Sequence, residues 1–412
     1  MAFGDSIIAL RAPVFIAGCL TIPAAWLVAR EFFGCAAGLI AAAFIAGLPP
    51  FIEFSVNARG YSFQWLCVLA MMYSAARLAD NSASKPAWAA FVGGAVIGIF
   101  SIPTMIVPAA ALTIWLAFAT RLHVAVFSAA ACVGLISILL YLPALVVAGP
   151  RAVIDNQYIA PIDSNYFGAL AATAQHTWTR WTEGIPQIAC WLLAAGVIAG
   201  LLVARRICVR AWSMILALWS WSLLFAFTRR IVGHPRIWIY LLIATVILGS
   251  AGIASILSRR ITLCASVSVC LALAMSIGLT RNKTLFLSNE TGAIAETPDL
   301  VRLLDASIRP GDRIIASRVP ARTILQYEFE HRPRLEASLI DEHRPPHVIA
   351  VVAKQPLLSS DAYSNRERIR LLLAQGPASL ALVASEMDLR QYEPRLIANF
   401  PSVTVYSLDS KN

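Results

Sequence analysis

Charged residues are scarce in this chain of 412 residues: they make up only 14% of it, whereas hydrophobic residues make up 58%. This composition is far from that of a soluble protein and predicts a chain that crosses a membrane several times. The sequence has no C-x-x-C pair, and all eight cysteines lie in or beside apolar runs. Neither a disulfide framework nor a structural zinc site is therefore expected.

Several enzyme signatures are also missing. The chain has no G-x-S-x-G, no H-E-x-x-H, no P-loop and no Rossmann glycine fingerprint, which argues against the hydrolases and nucleotide-binding enzymes that carry them. No cofactor is expected, although a divalent metal stays open. The net charge of +10 arises mainly before residue 281. Basic excess in an apolar region suits anionic lipids or lipid phosphates and gives no reason to expect nucleic acid.

Ten apolar runs approach the ~20 residues that a membrane-spanning helix needs. The predicted crossings are residues 12–29, 35–52, 61–76, 86–101, 104–120, 123–148, 187–204, 211–228, 237–257 and 261–280. Residues 86–120 carry no charge, and Pro103 predicts a turn that divides them into two helices. One long tilted helix there would leave nine crossings and reverse the side of the C-terminal part.

The basic residues predict the orientation in the membrane. Loops at 30–34, 77–85, 121, 205–210 and 259–260 hold nine Lys or Arg in 23 residues. The opposite set, at 1–11, 53–60, 101–104, 149–186 and 229–236, holds seven in 69. Because short loops dense in Lys and Arg face the cytoplasm, both termini and the loop at 149–186 are expected outside it.

Residues 281–412 have the composition of a separate soluble domain, expected on the outer face. The pattern predicts helices at about 298–308, 321–330 and 362–375. It predicts strands at 312–317, 347–353, 379–385 and 402–407, which would form a small parallel-type sheet. The expected fold class is thus an α-helical membrane protein, residues 1–280, with a small C-terminal α/β domain, residues 281–412.

Four short stretches resemble a known family: Gly4 to Pro13, Ala29 to Gly34, Leu48 to Pro50 and Asn57 to Ser62. They resemble the GT-C glycosyltransferases, in the branch of the protein O-mannosyltransferases, the aminoarabinose transferase and the Rgt-type lipopolysaccharide glycosyltransferases. The likeness is best over residues 4–80. It is weaker over 225–260, where basic residues precede a long crossing as they do in that family.

The resemblance implies a function. Such enzymes take a sugar from a polyprenyl phosphate and work on the outer face of a membrane, here a bacterial inner membrane. The acceptor would be a glycolipid, a polysaccharide or a protein. Family members begin with a helix and an outer loop that carries the acidic catalytic motif, and this sequence is expected to begin after both. Asn57 stands where many relatives have an acidic residue before the Ala-Arg pair.

Four arginines are candidates to bind the donor phosphate: Arg59, Arg229, Arg230 and Arg236. Guanidinium groups at headgroup depth stabilise a departing phosphate through paired hydrogen bonds. They also occur as side chains that only mark the membrane interface. For Arg59 and Arg236 we favour phosphate binding. For Arg229 and Arg230 both interpretations stay open. Asn57, Tyr61 and His234 are expected to support the site.

The group that takes the acceptor's proton is not identified by the sequence. Four carboxylates are expected on the outer side of the membrane: Glu53, Asp155, Asp163 and Glu183. Each could act as the base, but each is more typically a solvated loop residue. His176 and His234 are further proton acceptors or phosphate donors, although a lone histidine is more often structural. Two alternatives therefore stay open: a lipid-glycan transporter, and an inactive scaffold that binds the lipid donor.

Overall fold

A computed structural model describes most of the membrane part and selected segments beyond it. The described residues are 7–57, 59–120, 122–149, 165–285, 297–307, 313–316, 329, 332, 347–353, 392–399 and 403–410. The chain divides into two compact units, Met1–Leu285 and Phe286–Asn412.

Long apolar helices make up the described part of the first unit. They are α1 (Ile7–Phe33), α2 (Cys35–Gly47), α3 (Pro49–Val56), α4 (Tyr61–Asp80), α5 (Lys85–Ser101), α6 (Ile106–Thr120), α7 (His123–Ala148), α8 (Tyr166–Trp181), α9 (Gln187–Ile207), α10 (Val209–Arg229), α11 (Ile239–Ile256) and α12 (Ile261–Arg281). Short 3₁₀ helices precede α6, at Pro103–Met105, and α11, at Pro235–Trp238.

Each predicted crossing coincides with a helix, but two details differ. The stretch 35–52 is broken at Leu48 into α2 and α3, whose axes differ by 56°. Leu48 is extended because a residue before proline is pushed out of the helical region, and Pro49 and Pro50 then open the next helix. The loop at 149–186 contains α8, which was not predicted.

The number of membrane crossings stays a prediction. Seven of the described helices are long and apolar enough to cross a membrane, and the bent pair α2 and α3 would be an eighth. The predicted break near Pro103 is present: α5 ends at Ser101, Ile102 is extended, and the 3₁₀ helix leads into α6. Residues 86–120 therefore do not form one long helix.

The centre of the first unit is α11, in which every residue from Ile239 to Ala254 is buried. It packs against α1, α2, α9 and α10. Its contact with α9 is close because glycines face each other across it. A Cβ atom placed on Gly252 would lie 1.9 Å from the carbonyl oxygen of Gly196 and 2.5 Å from the backbone nitrogen of Gly200. Small residues bring helix backbones together in this way in membrane proteins.

The second unit contains α13 (Thr297–Ser307) and a four-stranded sheet. The strands are β1 (Arg313–Ala316), β2 (His347–Ala353), β3 (Tyr392–Asn399) and β4 (Val403–Ser410), in the order β1-β2-β4-β3. Strands β1 and β2 are parallel, while β4 runs antiparallel to both β2 and β3. The expected parallel pairing is present between β1 and β2, but the sheet as a whole is mixed. Strands β3 and β4 follow each other closely enough to pair as an antiparallel hairpin.

Strand β3 was not predicted, since Pro394 and Glu393 interrupt the apolar pattern. The helices expected at 321–330 and 362–375 and the strand expected at 379–385 fall outside the described residues, apart from Phe329. The class of the whole C-terminal domain stays a prediction.

The α9–α11 contact predicts the effect of one methyl group. Replacing Gly252 by Ala forces backbone atoms of two helices apart and is expected to destabilise the protein by about 1–3 kcal/mol. Gly93→Ala is the matched control, because nothing lies within 4 Å of the new Cβ in α5; alanine there should be neutral or stabilising. Thermal unfolding of the detergent-purified variants measures both. Equal midpoints for the two variants would show that the close contact is absent.

Candidate functional site

Arg59 lies at the tip of a tight turn between α3 and α4. Its backbone N–H donates to the carbonyl oxygen of Asn57 at 2.6 Å. The Ser62 hydroxyl donates to the carbonyl oxygen of Phe54 at 3.1 Å, and the Tyr61 ring packs on the Phe54 ring with centroids 4.5 Å apart. These contacts join the end of α3 to the start of α4. The backbone from which the exposed Arg59 side chain extends is thereby held in place.

Gly60 fixes the same turn against a third helix. A Cβ atom on Gly60 would lie 2.6 Å from the carbonyl oxygen of Ser101, at the end of α5. A glycine is required here because of this close approach. The backbone conformation itself is one that other residues also adopt. The N-terminal end of α4, which Arg59 precedes, is thus packed between α3 and α5.

Arg236 lies at the start of the buried helix α11. The preceding residues from Ile231 to Pro235 are buried, and His234 caps the 3₁₀ helix. The ring nitrogen Nδ1 of His234 accepts a hydrogen bond from the backbone N–H of Arg236 at 3.3 Å. His234 therefore orients the backbone from which the half-buried Arg236 side chain extends.

Arg180, in the last turn of α8, connects these two regions. Its side chain is 13% exposed. One terminal nitrogen, Nη1, pairs with Glu183, and the other, Nη2, lies 3.9 Å from Glu53 Oε1. Helix α8 also contacts both α3 and the 3₁₀ helix before α11.

Glu53 was expected to be a solvated loop residue, and that was wrong. It is buried in α3, with 5% exposure, because the bend at Leu48 turns α3 inward beside Arg180.

The basic groups converge on His234. The pKa of His234 is lowered to about 3, chiefly by burial and then by electrostatic interactions with Arg236, Arg180, His176 and Arg59, in decreasing order. Side chains from three separate regions therefore lie within electrostatic reach of one imidazole ring. The ring is neutral near pH 7, which leaves Nδ1 able to accept its hydrogen bond. We call this group the cationic cluster: Arg59, Arg180, Arg236, His176 and His234, with Glu53 and Glu183.

Arg59 and Arg236 thus both act electrostatically on His234, whereas the other two candidate arginines do not; the phosphate-binding role of all four stays a prediction. Arg229 and Arg230 are exposed at the end of α10, where Arg230 has a φ of +50°. Neither contributes to the lowered pKa of His234. Asp155 and Asp163 lie outside the described residues. No three His, Cys, Asp or Glu side chains converge as a metal site within the part of the chain that the structure describes.

Sequence reasoning missed Arg180 and the burial of Glu53. One signal was available: His176, Arg180 and Glu183 are spaced four and three residues apart, which is the spacing of one helix face, although Glu183 lies in the turn just after α8. Without α8 in the prediction, this spacing had no meaning. The partnership with Glu53 had no sequence signal, because the two residues are distant in the chain.

The cluster has the chemistry of an anion site. Three guanidinium groups meet two carboxylates, and the two histidines are neutral near pH 7, so one positive charge is in excess. Guanidinium groups bind phosphate or carboxylate through short, charge-assisted hydrogen bonds. An anionic group at the membrane surface is the expected ligand.

Comparisons with known proteins agree with this architecture. Residues 1–147 match the family model of dolichyl-phosphate-mannose-protein mannosyltransferases. The structure resembles that of ArnT from Cupriavidus metallidurans in the apo state, with a TM-score of 0.55 and 12% identity. That likeness covers 96% of this chain and 83% of ArnT. The chain has the GT-C fold.

A second crystal structure, of ArnT bound to undecaprenyl phosphate, matches this chain with a TM-score of 0.52 and 12% identity. It covers 97% of this chain and 84% of ArnT. No curated protein matches the chain. The fold expected from the resemblance at residues 4–80 is confirmed, whereas the superfamily and its narrower branch stay predictions.

The lowered pKa of His234 predicts how stability depends on pH. The unfolded chain binds a proton at His234 near pH 6.5, but the folded protein does so only near pH 3. Stability is therefore complete above about pH 6.5 and falls as the pH drops towards 3, by at most about 1.4 kcal/mol per pH unit. The pKa of His176 is lowered too and acts in the same direction.

His234→Asn should reduce this pH dependence. Asparagine can still accept the hydrogen bond that caps the 3₁₀ helix, but it does not titrate. Melting temperatures between pH 7.5 and 5.0 are expected to fall less for this variant than for the unmodified protein. His123→Asn, at the exposed start of α7, is the control and should keep the original dependence. An unchanged pH dependence in His234→Asn would contradict the burial of a neutral ring.

Proposed function

We propose that this chain is a membrane glycosyltransferase that transfers a sugar from a polyprenyl phosphate to an acceptor outside the cytoplasm. The observation that carries the proposal is that Arg59 and Arg236, from separate segments of the chain, both act electrostatically on the same buried histidine. The acceptor would be a glycolipid, a polysaccharide or a protein. The ArnT structure bound to undecaprenyl phosphate supports a polyprenyl phosphate as the lipid, since that protein shares the fold.

In this reaction Arg59 and Arg236 hold the phosphate. The donor's phosphodiester carries one negative charge, which fits the single excess positive charge of the cluster. When the bond between the sugar carbon and the phosphate oxygen breaks, that oxygen keeps the electron pair and gains negative charge. Fixed guanidinium groups stabilise this charge more than they stabilise the donor, and so they lower the barrier.

The proposal includes the orientation in the membrane. The loops dense in Lys and Arg lie on the cytoplasmic side, which leaves the cationic cluster and the C-terminal unit on the outer face of a bacterial inner membrane. The phosphate of a lipid donor lies at headgroup depth. The start of α4 and the 3₁₀ helix before α11 would then meet it there.

A transporter is the weaker alternative. A path for a charged headgroup through the bilayer is expected to expose ionisable residues near its middle. In the seven candidate spans that the structure describes, every Lys, Arg, Asp and Glu lies within about one turn of an end. This distribution favours an enzyme that works at the membrane surface.

An inactive scaffold that binds the lipid donor is the second candidate. Asn57 favours it, because many relatives of the resembled family have an acidic residue at this position. Glu53 is the buried carboxylate of the described cluster, but it lies beside Arg180. A measured rate of sugar transfer separates the enzyme from the scaffold, while both bind the lipid.

Binding of undecaprenyl phosphate tests the arginines. Arg59→Ala and Arg236→Ala each remove charge-assisted hydrogen bonds worth about 1.5–3 kcal/mol, so each should weaken binding by about 10- to 150-fold. Sugar transfer should be lost in both variants, while membrane insertion is unchanged. Titration of the purified protein in detergent micelles gives the affinities.

Arg281→Ala is the control, because Arg281 is exposed at the end of α12 and contributes nothing to the lowered pKa of His234. It should bind the lipid as the unmodified protein does. Equal affinities in all three variants would refute the phosphate-binding role of Arg59 and Arg236.

A further inference from the structure

Three buried polar atoms at the end of α8 have no hydrogen-bond partner among the described residues. They are His176 Nε2, Thr177 Oγ1 and Trp181 Nε1. Thr177 is only 7% exposed and Trp181 only 5%. Each buried polar atom without a partner costs about 1–3 kcal/mol. Three such atoms in adjacent turns of one helix therefore require an explanation.

Neighbouring threonines show that the helix does not impose this state. The hydroxyl of Thr179 donates to the carbonyl oxygen of Gln175 at 3.0 Å, and that of Thr182 donates to the carbonyl oxygen of Trp178 at 2.9 Å. Thr177 makes no such bond to the residue four positions earlier. Its hydroxyl is left available to another partner.

The three atoms lie beside the proposed phosphate site. Residues three or four positions apart are neighbours on a helix surface, so His176, Thr177, Arg180 and Trp181 form one patch. Two of these residues, His176 and Arg180, belong to the cationic cluster with Arg59 and Arg236. A group covalently attached to a phosphate in that cluster would lie next to the patch.

The polar atoms suit a sugar ring. A threonine hydroxyl both donates and accepts hydrogen bonds, an indole N–H donates, and a neutral imidazole has one donor and one acceptor. Sugar hydroxyl groups can match all of them. Burial lowers the pKa of His176, the charge of Arg180 lowers it further, and Glu183 opposes the shift, so the imidazole is neutral near pH 7.

We propose that His176, Thr177 and Trp181 form the subsite that binds the sugar of the lipid donor. This proposal rests on the proposed function, since the arginines must hold the phosphate. The donor's sugar is favoured over the acceptor because the ester bond places it directly beside that phosphate. The three unpaired atoms then gain their hydrogen bonds when the donor binds.

The test compares the lipid with and without its sugar. The purified protein is titrated with undecaprenyl phosphate and with its glucose, mannose, galactose and arabinose esters. At least one ester should bind about tenfold more tightly than the bare lipid, as expected for two or three added hydrogen bonds of about 0.5–1.5 kcal/mol each.

Thr177→Val should reduce that preference about three- to tenfold and leave the affinity for the bare lipid unchanged. Valine has nearly the shape of threonine and removes a buried hydroxyl without a partner, so the ligand-free variant should be as stable as the unmodified protein or more stable. If Thr177 had only a structural role, Thr177→Val would not lose the sugar preference while keeping its stability. Thr179→Val is the matched control and should keep the preference, because its hydroxyl is exposed and bonded to its own helix.

The outcomes separate the two proposals. If the unmodified protein binds bare and glycosylated lipid equally, or if Thr177→Val keeps the full preference, the sugar subsite is wrong and the proposed function stands. If the unmodified protein binds none of these lipids, the proposed function is wrong, and the subsite with it.

Discussion

The neutral imidazole of His234 is the constraint on which the site depends. Its ring is buried among groups that carry positive charge, and both conditions exclude a second proton. A neutral Nδ1 can accept the N–H of Arg236, and this bond sets the course of the chain into α11. Three guanidinium groups lie within electrostatic reach of a ring that adds no charge of its own. Two carboxylates, Glu53 and Glu183, reduce the remaining repulsion by pairing with Arg180.

The fold supplies the positions from which these side chains reach the ring. Glycine contacts between α9 and α11 fix the buried helix that Arg236 begins, while Gly60 packs the Arg59 turn against α5. The bend at Leu48 turns α3 inward, which buries Glu53 beside α8. An anion site at a membrane surface must hold its cations before the ligand arrives, because mobile arginines would lose conformational entropy on binding. Here short turns and helix ends hold them.

Much of the fold could be predicted, because length and hydrophobicity alone place a helix in a bilayer. The break at Ile102 was predicted from Pro103, whereas the break at Leu48 was not, although Pro49 follows it. Helix α8 was missed because its polar face lacks the apolar run of a crossing, and β3 because Pro394 interrupts it. The site was predicted only in part. The positions of Arg59 and Arg236 beside helix starts could be predicted from the sequence, and their role stays a prediction. The Arg180–Glu53 contact depends on tertiary packing, which leaves no local pattern.

The cluster and the unpaired atoms of α8 fit one ligand, a sugar ester of a lipid phosphate. The most direct test of the central claim is a cryo-electron microscopy structure of the protein with undecaprenyl phosphate. The account predicts phosphate density within about 3 Å of guanidinium nitrogens of both Arg59 and Arg236. Phosphate density elsewhere, or these two side chains on opposite faces of the membrane, would contradict it.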